Sequence, residues 1–400
     1  MKLLKVVLAL IIVAAVLAAS WYYRPWSDYS PARMAVLEDP SQIANSFRSM
    51  SDIVPNKVIA KSGDVSDFVE QLEPLMLGFN FNGVNKSLDQ FLDESGTTGL
   101  LVIKDGVLRH EQYRNGGARE SLFTSWSVAK SFVATVIVMA QREGLIESLD
   151  DKAEKYAPQY AGSDFGESSL KSLLAMSSGI EFNEDYVSDD SDVRPFFFNS
   201  FILGKDPDEL LLPFKRSRPA LTDFHYISPN SHVLSAVLRG VYKKSIADIM
   251  TEKIWKPLGM EADATWLQHR NDQQGVALGY CCLNARLRDY ARFGEFYLNA
   301  TKGKGLGAIV LPEGWAQSLL LPASSAHKPG GENYSGRGYS YHFWLPEKEG
   351  VFFAAGVYGQ FIWVDTQRNL VIVKTSADNG FSGRHKETAA AFDAISQHFD

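Results

Sequence analysis

Three places in the chain set a hydroxyl and an amine at Ser-x-x-Lys spacing: Ser127 with Lys130, Ser168 with Lys171, and Ser325 with Lys328. On a helix this spacing puts both side chains on one face, a turn apart. A lysine kept neutral by an apolar setting can then take the serine proton and free an alkoxide nucleophile. Context separates the three pairs. Ser127 opens a long apolar stretch over 127–143, with Phe132, Val133, Val136, Ile137, Val138 and Met139. A lysine entering such a helix is costly to bury unless it has a function, and a helix N-terminus offers oriented N–H groups to an oxyanion. Ser168 lies on a polar stretch ahead of Leu173-Leu174, and Ser325 lies in a Pro/Gly/Ser-rich segment, 323–331. Both are expected at the solvated surface.

The elements that must position Ser127 follow from periodicity and turn chemistry. Apolar runs over 99–103 and 107–113 flank Asp105-Gly106, the strongest short hairpin signal. The 127–143 helix follows, closed by Gly144. From about 145 to 330 the pattern is mostly helical, including 236–244, 246–254 and 283–298. Strands return at 352–356, 360–364 and 370–374, and 387–399 is a closing amphipathic helix. Strands at both ends with helices between predict an α/β (α+β) fold: an antiparallel sheet flanked by helices, assembled from about 91–143 and 335–400, with a large, mostly helical insertion over 145–330. This 91–400 body follows a connector over 24–90.

Residues 1–23 are a different kind of segment. Lys2 and Lys5 precede an uncharged apolar run over 6–19, and Trp21-Tyr22-Tyr23 with Arg24 closes it. The run is near the length that spans a bilayer, with aromatics where an interfacial belt would sit, while Ala18-Ala19-Ser20 fits a signal-peptidase site. A retained anchor and a removed signal peptide both follow from this pattern. Either places the body outside the cytoplasm, periplasmic or on the outer face of the membrane.

The 400 residues, 45% hydrophobic and 12% aromatic, are enough for a folded core. A net charge of −7 without a lysine/arginine block argues against nucleic acid as a partner. The two cysteines, Cys281-Cys282, are adjacent, which excludes a disulfide framework and a zinc ligand set of ordinary spacing; they are expected as two small buried thiols, with a strained vicinal disulfide as the alternative. No Walker A, His-Glu-x-x-His, EF-hand or Gly-x-Ser-x-Gly motif occurs, so neither a cofactor nor a metal is called for.

Five segments in order resemble the class C β-lactamase and penicillin-binding-protein superfamily of serine hydrolases. They are Thr124-Ser125-Trp126-Ser127-Val128-Ala129-Lys130, Leu173-Leu174-Ala175-Met176-Ser177-Ser178-Gly179, Phe224-His225-Tyr226-Ile227-Ser228-Pro229-Asn230, Leu287-Arg288-Asp289-Tyr290-Ala291-Arg292-Phe293-Gly294, and Gly356-Val357-Tyr358-Gly359-Gln360. The resemblance spans about 95–400. The last segment and Gly179-Ile180-Glu181-Phe182-Asn183-Glu184-Asp185-Tyr186 are most similar to the branch containing 6-aminohexanoate-dimer hydrolase.

This resemblance implies Ser127 as nucleophile, Lys130 as its base and Tyr226 as a second proton-transfer group, with the N–H groups of Ser127 and Val357 as the oxyanion hole. It also implies Ser228, Asn230, Gly356, Tyr358 and Asp185 as substrate-binding residues, with Trp344 and Tyr341 as candidates for bordering the same cleft. Two departures matter. The superfamily's Tyr-x-Asn reads Tyr226-Ile227-Ser228, with Asn230 two residues on, and its strand motif reads Ala354-Ala355-Gly356, without the cation that would meet a β-lactam carboxylate. The expected function is a serine hydrolase cleaving a small amide or ester through an acyl-enzyme. The alternatives are a peptidoglycan peptidase or carboxypeptidase and a non-catalytic acyl-binding sensor. His225, His232, His327, His342 and His385 are expected as structural or surface histidines.

Overall fold

The main sheet grows from the Asp105-Gly106 turn. Asp105 (φ +54°) and Gly106 (φ +78°) both adopt left-handed backbone, as a tight hairpin of this hand requires, and Lys104 pairs across it with Val107. In the computed structural model, the described residues are 2–400 apart from 25–29, 33–34, 36–38, 40, 62, 187, 202, 306–308 and 331–335. The strands in chain order are β1 (Asn56–Ile59), β2 (Val69–Glu70), β3 (Gly78–Phe81), β4 (Val84–Ser87), β5 (Thr97–Lys104), β6 (Val107–Tyr113), β7 (Phe123–Thr124), β8 (Ala264–Leu267), β9 (Leu283–Ala285), β10 (Gly338–Ser340), β11 (Phe343–Leu345), β12 (Val351–Gly356), β13 (Gln360–Asp365) and β14 (Leu370–Ser376). The long helices are α1 (Lys2–Tyr23), α2 (Ala129–Arg142), α3 (Ser228–Tyr242), α4 (Leu287–Thr301) and α5 (His385–His398).

Among the described residues the main sheet has eight strands in the order β10-β11-β12-β13-β14-β5-β6-β2. The late strand β14 pairs antiparallel with the early β5, so distant parts of the chain form one sheet as expected. Only β2 runs parallel to its neighbour, β6. Alternation along the strands sorts side chains onto two faces. Phe352, Ala354, Ile362, Val364, Val371 and Val373 join the core under α2, α3 and α4, whereas Phe353, Ala355, Phe361, Trp363 and Ile372 join the core under α5. Helix α4 lies so close to the sheet that a Cβ on Gly294 would come within 2.6 Å of Val371. β1, β8, β9 and β7 form a second antiparallel sheet, and β7 leads into the turn before α2. Helix α1, exposed along its length, is long and apolar enough to cross a membrane.

Several sequence expectations change. The 283–298 helix is a strand followed by a helix: Leu283–Ala285 pairs with β8 and β7, and α4 starts at Leu287. Three buried residues carry too little periodicity to distinguish the two states. Helix α3 starts at Ser228 rather than 236, with Pro229 in the first turn, where proline fits; the polar run 228–235 hid it. Ser168 is not at the surface. It is 1% exposed, donates to the Asp164 carbonyl and accepts from Arg216 Nη2. Cys281 and Cys282 are joined as a disulfide rather than held as thiols, in a turn where Cys282 has φ +79°.

Candidate active site

β7 delivers the chain to Ser127. Its pairing with β9 continues as the Ser125 N–H donates to the Leu283 carbonyl (2.7 Å) and the Leu283 N–H donates to Ser125 Oγ (3.1 Å). Trp126 then turns the chain through left-handed backbone (φ +44°), a conformation disfavoured for a bulky side chain and held by Trp126 packing on Phe47 and Tyr358. A single 3₁₀ turn, Trp126–Val128, leads into α2. That tight winding brings residues three apart almost into line, which is how Ser127 and Lys130 meet.

Lys130 is 1% exposed, and its Nζ lies 2.8 Å from Ser127 Oγ, 3.2 Å from Ser228 Oγ and 2.7 Å from the Tyr280 carbonyl. The Tyr280 carbonyl can only accept. Ser228 gives its own proton to Glu184, so it too must accept from Lys130. Ser127 is therefore the one neighbour of the three that can donate to the lone pair of a neutral amine. Burial makes that neutral form accessible by lowering the Lys130 pKa to about 7, although the charge on Glu184 pulls it upward.

Glu184 is the member of this site that sequence reasoning missed. The Glu184 carboxylate accepts from the Ser228 N–H (2.8 Å), from the Ser228 hydroxyl and from the Tyr186 hydroxyl (2.9 Å). Burial raises its pKa, and the charge of Lys130 opposes that rise. No periodicity marks the irregular loop that carries it, and 44 residues separate it from Ser228, so neither pattern nor spacing signals the contact. Tyr226 enters from the residue pair before α3. It is 8% exposed, stacks on Trp344 (5.2 Å between ring centroids, 28°), and its ring centroid lies 5.1 Å from Lys130 Nζ.

These groups face a cleft of about 570 Å³. Ser127, Tyr226, Asp185, Gly356 and Val357 are in its wall, and so is Trp344. Gly356 ends β12 against the nucleophile turn: a Cβ there would lie 2.5 Å from the Ser125 carbonyl oxygen and 3.1 Å from the Ser127 nitrogen, so only glycine lets the two backbones meet. Three residues expected to bind substrate sit elsewhere. Ser228 is 1% exposed, its hydroxyl committed to Lys130 and Glu184. Asn230 is wholly buried with Nδ2 on Met176 Sδ (3.5 Å). Tyr358 packs on Phe47, Trp126 and Phe381 behind the turn. Tyr341 stacks on Trp315 and does not line the cleft.

The cleft does contain a cation, but not on the strand. Arg337 lines it, with its guanidinium 4.1 Å above the Trp344 ring. Two histidines expected as structural or surface residues also line it. His225 Nε2 bonds the Phe182 carbonyl (2.9 Å), and burial together with the charge of Arg337 lowers the His385 pKa to about 3. Among the described residues no group of three or more His, Cys, Asp or Glu is placed to hold a metal ion.

A family model described as beta-lactamase matches residues 84–395. A 6-aminohexanoate-dimer hydrolase of Paenarthrobacter ureafaciens is 29% identical over 300 residues, 72% of this chain and 75% of that protein. A Bacillus anthracis structure provisionally described as the same hydrolase superposes with a TM-score of 0.79 at 24% identity, covering 90% of this chain and 95% of that one. A class C beta-lactamase superposes at 0.53 and 15% identity, over 77% of this chain and 93% of that one.

Proposed function

Because the chain belongs to the beta-lactamase family and is a serine hydrolase, we propose that it cleaves a small amide or ester through an acyl-enzyme on Ser127. Neutral Lys130 takes the Ser127 proton as Oγ attacks the substrate carbonyl. The N–H groups of Ser127 and Val357 receive the developing oxyanion. The Tyr226 phenol, beside Lys130, relays the proton to the leaving nitrogen or oxygen; in deacylation the same groups take a proton from water, which attacks the ester and returns Ser127 to its hydroxyl. Glu184 and Ser228 position Lys130 and set its proton affinity.

The observation that carries this reading is the buried Lys130 amine 2.8 Å from Ser127 Oγ, with its two other neighbours able only to accept. Two features favour an amide or ester outside the β-lactams: the absence of a cation on Ala354-Ala355-Gly356, and a relative that is a 6-aminohexanoate-dimer hydrolase. Helix α1 supports export with the body outside the cytoplasm, and N-terminal sequencing of membrane and soluble fractions distinguishes an anchor from a cleaved signal. A fluorophosphonate probe is the direct test: it labels the wild type and fails to label Ser127→Ala. Equal labelling of both ends the proposal.

A further inference from the structure

The two N–H groups proposed for the oxyanion each adjoin an aromatic residue in left-handed backbone. Trp126 (φ +44°) precedes Ser127, and Tyr358 (φ +62°) follows Val357. Such a conformation is disfavoured for a bulky side chain and persists only where packing holds it. The Ser127 N–H lies in the peptide plane that begins at Trp126, so a rotation of that residue re-aims it. Tyr358 sets the return of the turn that carries Val357, which closes as the Gly359 N–H donates to the Gly356 carbonyl (3.3 Å). The two rings pack on each other (5.5 Å between centroids, 43°). A third ring touches both: Phe47 lies edge-to-face with Trp126 (5.2 Å, 72°) and with Tyr358 (4.9 Å, 67°).

Phe47 belongs to the connector, ahead of the 84–395 span that the family model matches. It is buried, on the short helix Ile43–Arg48, and that helix is tied to the body at several points. Arg48 Nη1 donates to the Asn115 carbonyl (2.8 Å), Met50 joins the main core, and the hydroxyls of Ser51 and Thr265 meet at 2.6 Å. β1 follows and pairs with β8, whose sheet continues through β9 to β7 and the nucleophile turn. The connector therefore brings one buried ring against the two residues whose backbone is least able to hold its own conformation.

We propose that Phe47 is a positioning residue for the oxyanion hole: its ring fixes Trp126 and Tyr358, and through them the N–H groups of Ser127 and Val357. The inference rests on the hydrolase reading of Ser127 and extends the catalytic unit into the connector.

The test is turnover of a p-nitrophenyl ester by the full-length protein in detergent, with rates expressed per active site after fluorophosphonate titration to completion. Phe47→Ala should lower kcat per site by about 10- to 100-fold, part of what the loss of a whole oxyanion donor costs, with KM within about twofold. A trifluoromethyl ketone with the same acyl group reports the hole directly. Ser127 Oγ adds to its carbonyl carbon, the proton passes to Lys130, and the carbonyl oxygen becomes an oxyanion. Its binding should weaken by the same factor as kcat. Phe47→Leu restores most of the apolar volume and should return both values to within about threefold of wild type. Phe47→Val should fall between the two, and it decides the question where Phe47→Ala does not fold. Fewer titratable sites with an unchanged rate per site would mean that the ring only stabilises the fold, which overturns the proposal. So does a fall in kcat without weaker ketone binding, or a rise in KM alone. With Ser127 labelling intact, these results remove the role of Phe47 and leave the hydrolase reading standing; a wild type that takes no label ends both.

Discussion

Replacing Glu184 with glutamine should move the pH dependence of the reaction to lower pH. Lys130 Nζ and the Glu184 carboxylate both contact the Ser228 hydroxyl, so the two charges are two hydrogen bonds apart, roughly 5–6 Å. At an effective dielectric of about 20 that separation is worth on the order of 3 kcal/mol, or about two pK units, before solvent in the cleft screens it. Lys130 works only when neutral. With its pKa at about 7, wild-type kcat/KM should fall tenfold per pH unit below about 7 and level off above it. Glu184→Gln removes the charge that favours the ammonium form, so the acid limb should shift down by about one to two units. The plateau should fall at the same time, because a weaker base drives proton transfer less. The assay is kcat/KM for a neutral ester from pH 5 to 9, with melting temperature followed in parallel. An unmoved limb, or one moved to higher pH, would refute the coupling of Glu184 to Lys130.

Ser228→Ala removes an acceptor from Lys130 without touching the cleft wall, so kcat should fall by about tenfold or more with KM nearly unchanged; a rise in KM alone would mean that Ser228 binds substrate after all. Gly356→Ala places a methyl against the Ser125 carbonyl and the Ser127 nitrogen and should lower kcat by about 10² to 10³-fold, the scale of a damaged oxyanion hole, as single-turnover acylation would report. Asp208 is buried among Arg239 (2.6 Å), His232 (2.9 Å) and Tyr160 (3.0 Å). Asp208→Ala should cost about 3–5 kcal/mol of stability in urea melts by leaving those partners unpaired. Its hydrogen bonds and the Arg239 charge hold the Asp208 carboxyl far below its ordinary pKa despite burial. The stability it contributes is therefore present above the unfolded value of about 4 and lost as pH falls below it; the variant should show a weaker decline in acid than the wild type.

What the sequence determined by itself is local. The Asp105-Gly106 hairpin, the β12–β14 meander, the buried helix α2 and the three-residue step from Ser127 to Lys130 all depend on neighbours within one turn or one strand pair, where periodicity and turn chemistry act. The relation of Ser127 to Gly356 could be reached only through family resemblance, since more than half the chain separates them. Tertiary structure alone decided the partners of Lys130. The contact of Glu184 with Ser228 was not legible, because the loop carrying Glu184 is irregular and 44 residues separate the two. Ser228 became a link between Lys130 and Glu184 because α3 docks against α2, and the Tyr280 carbonyl, just ahead of β9, became an acceptor for the same amine. The same docking buries the Lys130 amine, and a shifted proton affinity is a property of that enclosure, which no stretch of sequence contains.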